Sequence, residues 1–219
     1  MNKWIIPDLH GCSKTLKALI EELIKPEHGD SISFLGDYID RGPDAKGTID
    51  YVWLLQQNGY NIHALKGNHE EYLLLAYEEA LNGKKKFFRF RKNNRLFKEW
   101  VRHGGNDTLQ SFGVKRVDQI PENYIRWFQN LENYYEDDGY VIVHAGLNFN
   151  RRNPFEDRHA MLWSRSFDVI PEKIGNKKII HGHVPVSLDF IKACIVDPHQ
   201  HYIPLDNGCY LPGKVGMGN

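Results

Sequence analysis

Four short stretches carry the residues best suited to chemistry: Asp8-Leu9-His10-Gly11, Gly36-Asp37-Tyr38-Ile39-Asp40-Arg41-Gly42, Gly67-Asn68-His69-Glu70 and His144-Ala145-Gly146. Each follows directly on a short apolar run. Carboxylates, imidazoles and a neutral amide oxygen are hard or borderline ligands, and no thiolate is needed to complete the set. Such donors favour manganese, iron or zinc over calcium and disfavour copper(I). Two cations about 3.5–4 Å apart can clamp a phosphoryl group and generate a hydroxide nucleophile near neutral pH. The chemistry these motifs point to is metal-assisted cleavage at phosphorus.

Within the motifs the spacing is informative. Asp8 and His10 sit two apart, so in extended backbone they point the same way. Gly36 lets the backbone come close before Asp37, whose two oxygens could bridge two cations. Asn68 supplies a carbonyl oxygen, and His144 ends the run Val141-Ile142-Val143. A further pair, His181 and His183 in His181-Gly182-His183, also lies just past an apolar run, and either could complete the set.

The elements that must position these residues repeat one phrase three times. The pattern predicts strands at Trp4–Ile6, Ser31–Leu35 and Asn61–Leu65, each followed by a motif. Helices then follow at Thr15–Lys25, Asp44–Gln57 and His69–Leu81, the last stopped by Asn82-Gly83. Asp8 and Asp37 are 29 positions apart, and Asp37 and Asn68 are 31 apart. Each interval is about one β-α-β unit. The motif loops therefore belong side by side at the carboxyl edge of a parallel sheet, where open α/β sheets bind ligands. Further strands are expected at Tyr140–Val143, Lys178–Ile180, Ile191–Val196 and His201–Leu205, forming a second sheet packed on the first.

The middle of the chain is different. Lys84 to Arg102 holds nine Lys and Arg against one acid, Glu99, with Phe87, Phe88, Phe90, Phe97 and Trp100 interleaved. Helices are expected around Thr108–Phe112 and Pro121–Leu131, making a basic helical segment of about 84–131. Basic groups beside stacking rings suit nucleic acid. A solvated helix whose rings cap the core explains them better, and no nucleic-acid partner is expected.

The whole chain sets broader bounds. At 219 residues it suits a single domain, 1–219, with a substantial core. Lys plus Arg and Asp plus Glu both total 28, so the balance implies no polyelectrolyte partner. Cys12, Cys194 and Cys209 lack zinc-type spacing and read as free thiols of a reducing compartment. Trp4-Ile5-Ile6 is too short for a signal-peptide core, and no stretch approaches membrane-spanning length. A cytoplasmic monomer without a membrane partner is expected. Asp197, His199 and His201 read as turn and strand residues rather than a metal cluster.

The motifs resemble the signatures of the phosphoprotein phosphatase family of calcineurin-like metallophosphoesterases, from Ile5 to about Gly213. With Trp100, Gly104-Gly105, Thr108-Leu109 and Phe112-Gly113, the chain is most similar to the compact bacterial and phage lambda-type Ser/Thr phosphatases. The resemblance implies an α/β fold of two packed mixed sheets flanked by helices, an α-β-β-α sandwich. It implies two divalent cations, manganese first, with iron or zinc as alternatives. Asp8, His10 and Asp37 would hold one; Asp37, Asn68, His144 and His183 the other, His183 being favoured by the Pro185 that follows. His69 would be the general acid, oriented by Asp40. Arg41, Asn68 and Arg165 would hold the phosphate.

The implied reaction is phosphomonoester hydrolysis by a two-metal-activated hydroxide, on a phosphorylated protein or a small phosphoester. A Ser/Thr phosphoprotein is the first expectation. A symmetrical dinucleoside polyphosphate such as diadenosine tetraphosphate is the alternative. Two departures stand out. Pro7 replaces the glycine usual before Asp8 and removes an amide donor. The sequence given stops at Met217-Gly218-Asn219, where relatives continue into a final strand, which would leave an open edge.

Overall fold

The computed structural model describes residues 1–85 and 94–211. Phe87, Phe88 and Phe90 of the basic stretch lie outside the described residues, as does the expected open edge at 212–219.

The first sheet is built as the spacing requires. β1 (Lys3–Ile6), β2 (Ser31–Phe34) and β3 (Asn61–Ala64) run parallel in that order, with Trp4 opposite Ile32 and Ile32 opposite Ile62. Pro7 falls just after the last paired residue of β1, where its missing N–H costs no ladder bond.

α1 (Ser13–Ala18) continues into a π-wound turn, Leu19–Ile24, and stops at a left-handed Lys25 ahead of Pro26. α2 (Ala45–Gln57) starts at Asp44, whose Oδ1 accepts from Gly47 N at 2.9 Å. α3 (Asn68–Lys85) runs through Asn82-Gly83, the expected stop. A helical glycine costs only about 1 kcal/mol relative to alanine, and α3 is held by packing against α4 (Arg95–Trp100). The Glu79 carboxylate of α3 accepts the free N–H groups of Leu96 and Phe97 at the start of α4.

Gly104, at φ +106°, turns the chain from α4 into α5 (Asn106–Ser111). A side chain there would begin 2.6 Å from Arg41 N, so glycine allows this turn to lie on the Asp40-Arg41 loop. α6 (Glu122–Asn130) then buries Tyr124, Ile125 and Phe128 against the first sheet's helical layer.

The second sheet holds β4 (Tyr134–Asp137), β5 (Tyr140–Val143), β6 (Lys178–His181) and β7 (Tyr202–Pro204), in that order. β4 pairs antiparallel with β5 across Asp138-Gly139, and the remaining pairs are parallel. The first sheet is parallel throughout and the second mixed. β4 is absent from the sequence expectation, although Asp138-Gly139 is a strong hairpin signal.

α7 (Arg158–Trp163) and α8 (Leu188–Val196) complete the fold. The strand expected at Ile191–Val196 is therefore a helix. Periodicity cannot separate helix from strand in so short an apolar run. Ser187 decides it: its Oγ accepts from Phe190 N at 3.2 Å, and Ile191 and Cys194, three apart, bury one face.

The two sheets meet face to face. Leu35 and Leu65, just past β2 and β3, pack with Ile142, Ile180 and Ile203 of the second sheet. Helices cover both outer faces, giving an α/β fold of two sheets flanked by helices. No helix among the described residues is long and apolar enough to cross a membrane.

Candidate metal centre

The loops leaving β1, β2, β3, β5 and β6 converge at one end of the paired sheets. His10, Asp37, Asp40, Arg41 and His183 all have positive φ, between 41° and 72°, and only Lys25 and Asn176 share that feature among the described non-glycine residues. Such strained backbone collects at functional sites.

Asp37 is the hub. Its Oδ2 lies 3.6 Å from His10 Nε2, 3.6 Å from His144 Nε2 and 4.0 Å from His69 Nε2. These gaps are too long for hydrogen bonds. The donors that converge are His10, Asp37 and His69 on one side, and Asp37, His144 and His183 on the other. His10 Nδ1 donates to Ile39 O at 3.0 Å and His144 Nδ1 to Leu35 O at 2.8 Å. Those bonds fix the tautomers, so each Nε2 presents a lone pair inward. Asn68 Oδ1 then faces His144 Nε2 and His183 Nδ1, both at 3.0 Å. At His144, acceptor confronts acceptor.

Electrostatics argue the same way. Burial lowers His10 and His144 well below the usual imidazole range and His183 to about 4, so the rings are neutral. Burial raises Asp8 and Asp37 well above the carboxylate range, Asp37 further by the nearby Asp8 and Glu70 charges. Inward lone pairs and crowded carboxylates in a buried pocket fit divalent cations. Asp37, His10, Asn68, His144 and His183 are the residues that could hold them.

Asp8 is placed differently from its expected partners. Both its oxygens accept from His183 N at 3.1 Å, and it shares neither convergent set. Gly182 makes this possible, since a Cβ there would collide with Asp8 Oδ1. Arg41, expected on phosphate, donates from Nη1 to His10 Nε2 at 2.9 Å, with its guanidinium 4.5 Å from the Tyr210 ring centre. His181 is turned from the centre, between the Phe167 and Tyr202 rings. Arg165 is exposed and forms no ion pair or hydrogen bond among the described residues.

Beside the cluster, His69 Nδ1 and Asp40 Oδ2 are 2.6 Å apart, and His69 Nε2 is buried with no hydrogen-bond partner among the described residues. Asp40 is fully buried, and burial pushes its carboxyl up to about 8 against the pull of its hydrogen bonds with Thr108 and Trp100. Thr108 Oγ1 donates at 2.6 Å, and Trp100 Nε1 reaches both oxygens at 3.1 and 3.0 Å. Burial, then the charges of Arg41 and His103, lowers His69.

Several positioning residues had no role in the sequence reading. Glu70 Oε2 accepts from Asp37 N and Gly67 N, and Oε1 from Tyr38 N, each at 2.9 Å. It thus laces two motif loops together, while burial raises it to about 7. Its place in the Asn68 motif was the available signal. Cys209 Sγ donates to Asp8 O at 3.1 Å and Leu9 O at 3.2 Å, and Asp206 is buried nearby, raised by burial. No local pattern reveals contacts that cross 200 positions. His199 N donates to Asp197 Oδ1 at 2.8 Å, a turn contact.

The profile of the calcineurin-like phosphoesterase family matches residues 1–208. The chain belongs to this family. Among curated relatives, the symmetrical bis(5'-nucleosyl)-tetraphosphatase of Cellvibrio japonicus is 28% identical over 149 residues, 67% of this chain and 46% of that protein. The chain thus spans less than half the length of that relative. A provisionally assigned diadenosine tetraphosphatase shares the fold at TM-score 0.58 and 18% identity, over 95% of this chain and 84% of that one. A Saccharomyces cerevisiae Ser/Thr protein phosphatase does so at TM-score 0.59 and 14% identity, over 93% and 66%. Metal-dependent phosphoester hydrolysis is the activity that family and donor set support together.

Proposed function

We propose that this family member hydrolyses a symmetrical dinucleoside polyphosphate at its central phosphoanhydride. The observation that carries this reading is the 149-residue relationship to a symmetrical tetraphosphatase. It moves the dinucleotide, the alternative on sequence grounds, ahead of the phosphoprotein. Likeness to the yeast phosphatase is a likeness of fold and does not reverse that order.

The residues divide the work as follows. Divalent cations, when bound, neutralise phosphate charge and acidify water. Asp37 holds the cluster together, with His10, Asn68, His144 and His183 as further donors and Asp8 beside them. Arg41 gives up His10 Nε2 and takes a phosphate oxygen, joined by Arg165; the planar guanidinium fork suits that geometry. His69 Nε2 delivers a proton to the leaving oxygen, while Asp40 fixes the ring through Nδ1.

The test compares kcat/KM on diadenosine tetraphosphate, phosphoserine and phosphothreonine peptides and a phosphotyrosine peptide, on one preparation. The proposal expects ADP as the sole nucleotide product and a preference for the dinucleotide above a hundredfold. A phosphopeptide preference of that size, or ATP plus AMP as products, would refute it.

A further inference from the structure

A second hollow adjoins the metal centre, on the side of α7 and the loop after it. Its volume is about 880 Å³, within the roughly 300–1,000 Å³ of small-molecule sites. Trp163, Phe167 and Tyr202 supply aromatic walls. His181 lines it too, its ring held between those of Phe167 and Tyr202.

Ring contacts join this cavity to the reaction site. Arg165 is among the residues that line it. Trp163 packs edge-on against Tyr72 at 4.6 Å, and Tyr72 lies edge-on to His69 at 6.5 Å. A line of rings therefore runs from the candidate acid to the cavity wall.

The lining chemistry indicates which part of a substrate belongs inside. Asp157 and Asp168 line the cavity and would repel a second phosphate placed within it. Arg165 would instead hold phosphate at the boundary. A flat, uncharged heteroaromatic group suits the interior, lying against the Trp163, Phe167 and Tyr202 rings.

We infer that this cavity receives one nucleoside of the substrate, its base against Trp163, with the phosphate chain passing Arg165 into the metal centre. The inference rests on the dinucleotide reading and deepens it by assigning Trp163 a part in specificity.

The test uses the full chain loaded with manganese, with p-nitrophenyl phosphate as reporter. ADP and ribose 5-diphosphate, which lacks the base, serve as competing ligands. Wild-type protein is expected to bind ADP at least tenfold more tightly than ribose 5-diphosphate, the scale of one base stacked on a ring. Trp163→Ala should reduce that ratio to near one, and Trp163→Phe should keep most of it. Equal inhibition by both ligands in wild type would overturn the inference without needing a variant. A preference that survives in Trp163→Ala would overturn it as well. Diadenosine tetraphosphate cleavage, measured on the same preparation, separates the two ideas. Its absence beside an intact ADP preference sinks the substrate reading and leaves the nucleoside cavity standing.

Discussion

The indole N–H of Trp100 reaches both carboxylate oxygens of Asp40, and that carboxylate holds His69 at 2.6 Å. A residue 60 positions away thus anchors the partner of the candidate acid. Trp100→Phe keeps most of the ring and removes the donor. Leaving a buried acceptor short of a partner costs about 1–3 kcal/mol, which a lower urea midpoint should report. The variant should also lose turnover on alkyl phosphates while keeping its metal content. Unchanged stability and turnover would remove Trp100 from this chain of contacts.

His69 presents a buried Nε2 that no group among the described residues satisfies. An alkoxide is a poor leaving group, so proton donation to it is worth roughly 10²–10⁴-fold. His69→Asn should lose on that scale with an alkyl phosphate and much less with p-nitrophenyl phosphate, whose leaving group needs little help. Equal losses on the two substrates would contradict the acid role.

Much of this centre is legible in the sequence because its donors are local. Asp8, His10, Asp37, Asn68, His69 and His144 each sit in a short motif behind a strand, and the β-α-β spacing brings the motifs together. Trp100, Thr108 and Cys209 are different. They reach the site through packing between elements far apart in sequence, which periodicity does not encode. Arg41 shows a third case: its motif was evident, but its contacts with His10 and Tyr210 depend on a tautomer and a distant ring. The helix at Leu188–Val196 departs from the strand its apolar run suggests because Ser187 caps it. β4 is hard to read from the sequence because Glu136 and Asp137 hide the alternation.

Away from the centre, Asp30 ties the N-terminus to the first sheet. It accepts from Asn2 N at 2.6 Å, from Trp4 Nε1 at 3.2 Å and from Glu27 N at 3.3 Å. The Asn2 amide above all holds its carboxyl down at about 2, below the usual 3.8. The folded state therefore releases this proton more readily than the unfolded chain. The stabilisation is complete above the unfolded value and is lost as pH falls through about 2. Asp30→Asn should lower the denaturation midpoint near neutrality, and the gap from wild type should narrow between pH 4 and pH 2. A gap that stayed constant or widened on acidification would refute this assignment.

The central claim is that divalent cations gather around Asp37. The most direct measurement titrates chelator-treated protein with manganese while following bound metal and p-nitrophenyl phosphate hydrolysis together. Wild type should bind two ions per chain and gain activity as they bind. Asp37→Asn should bind fewer ions and show turnover reduced by orders of magnitude. Wild-type turnover in the metal-free protein, or in Asp37→Asn, would contradict the account.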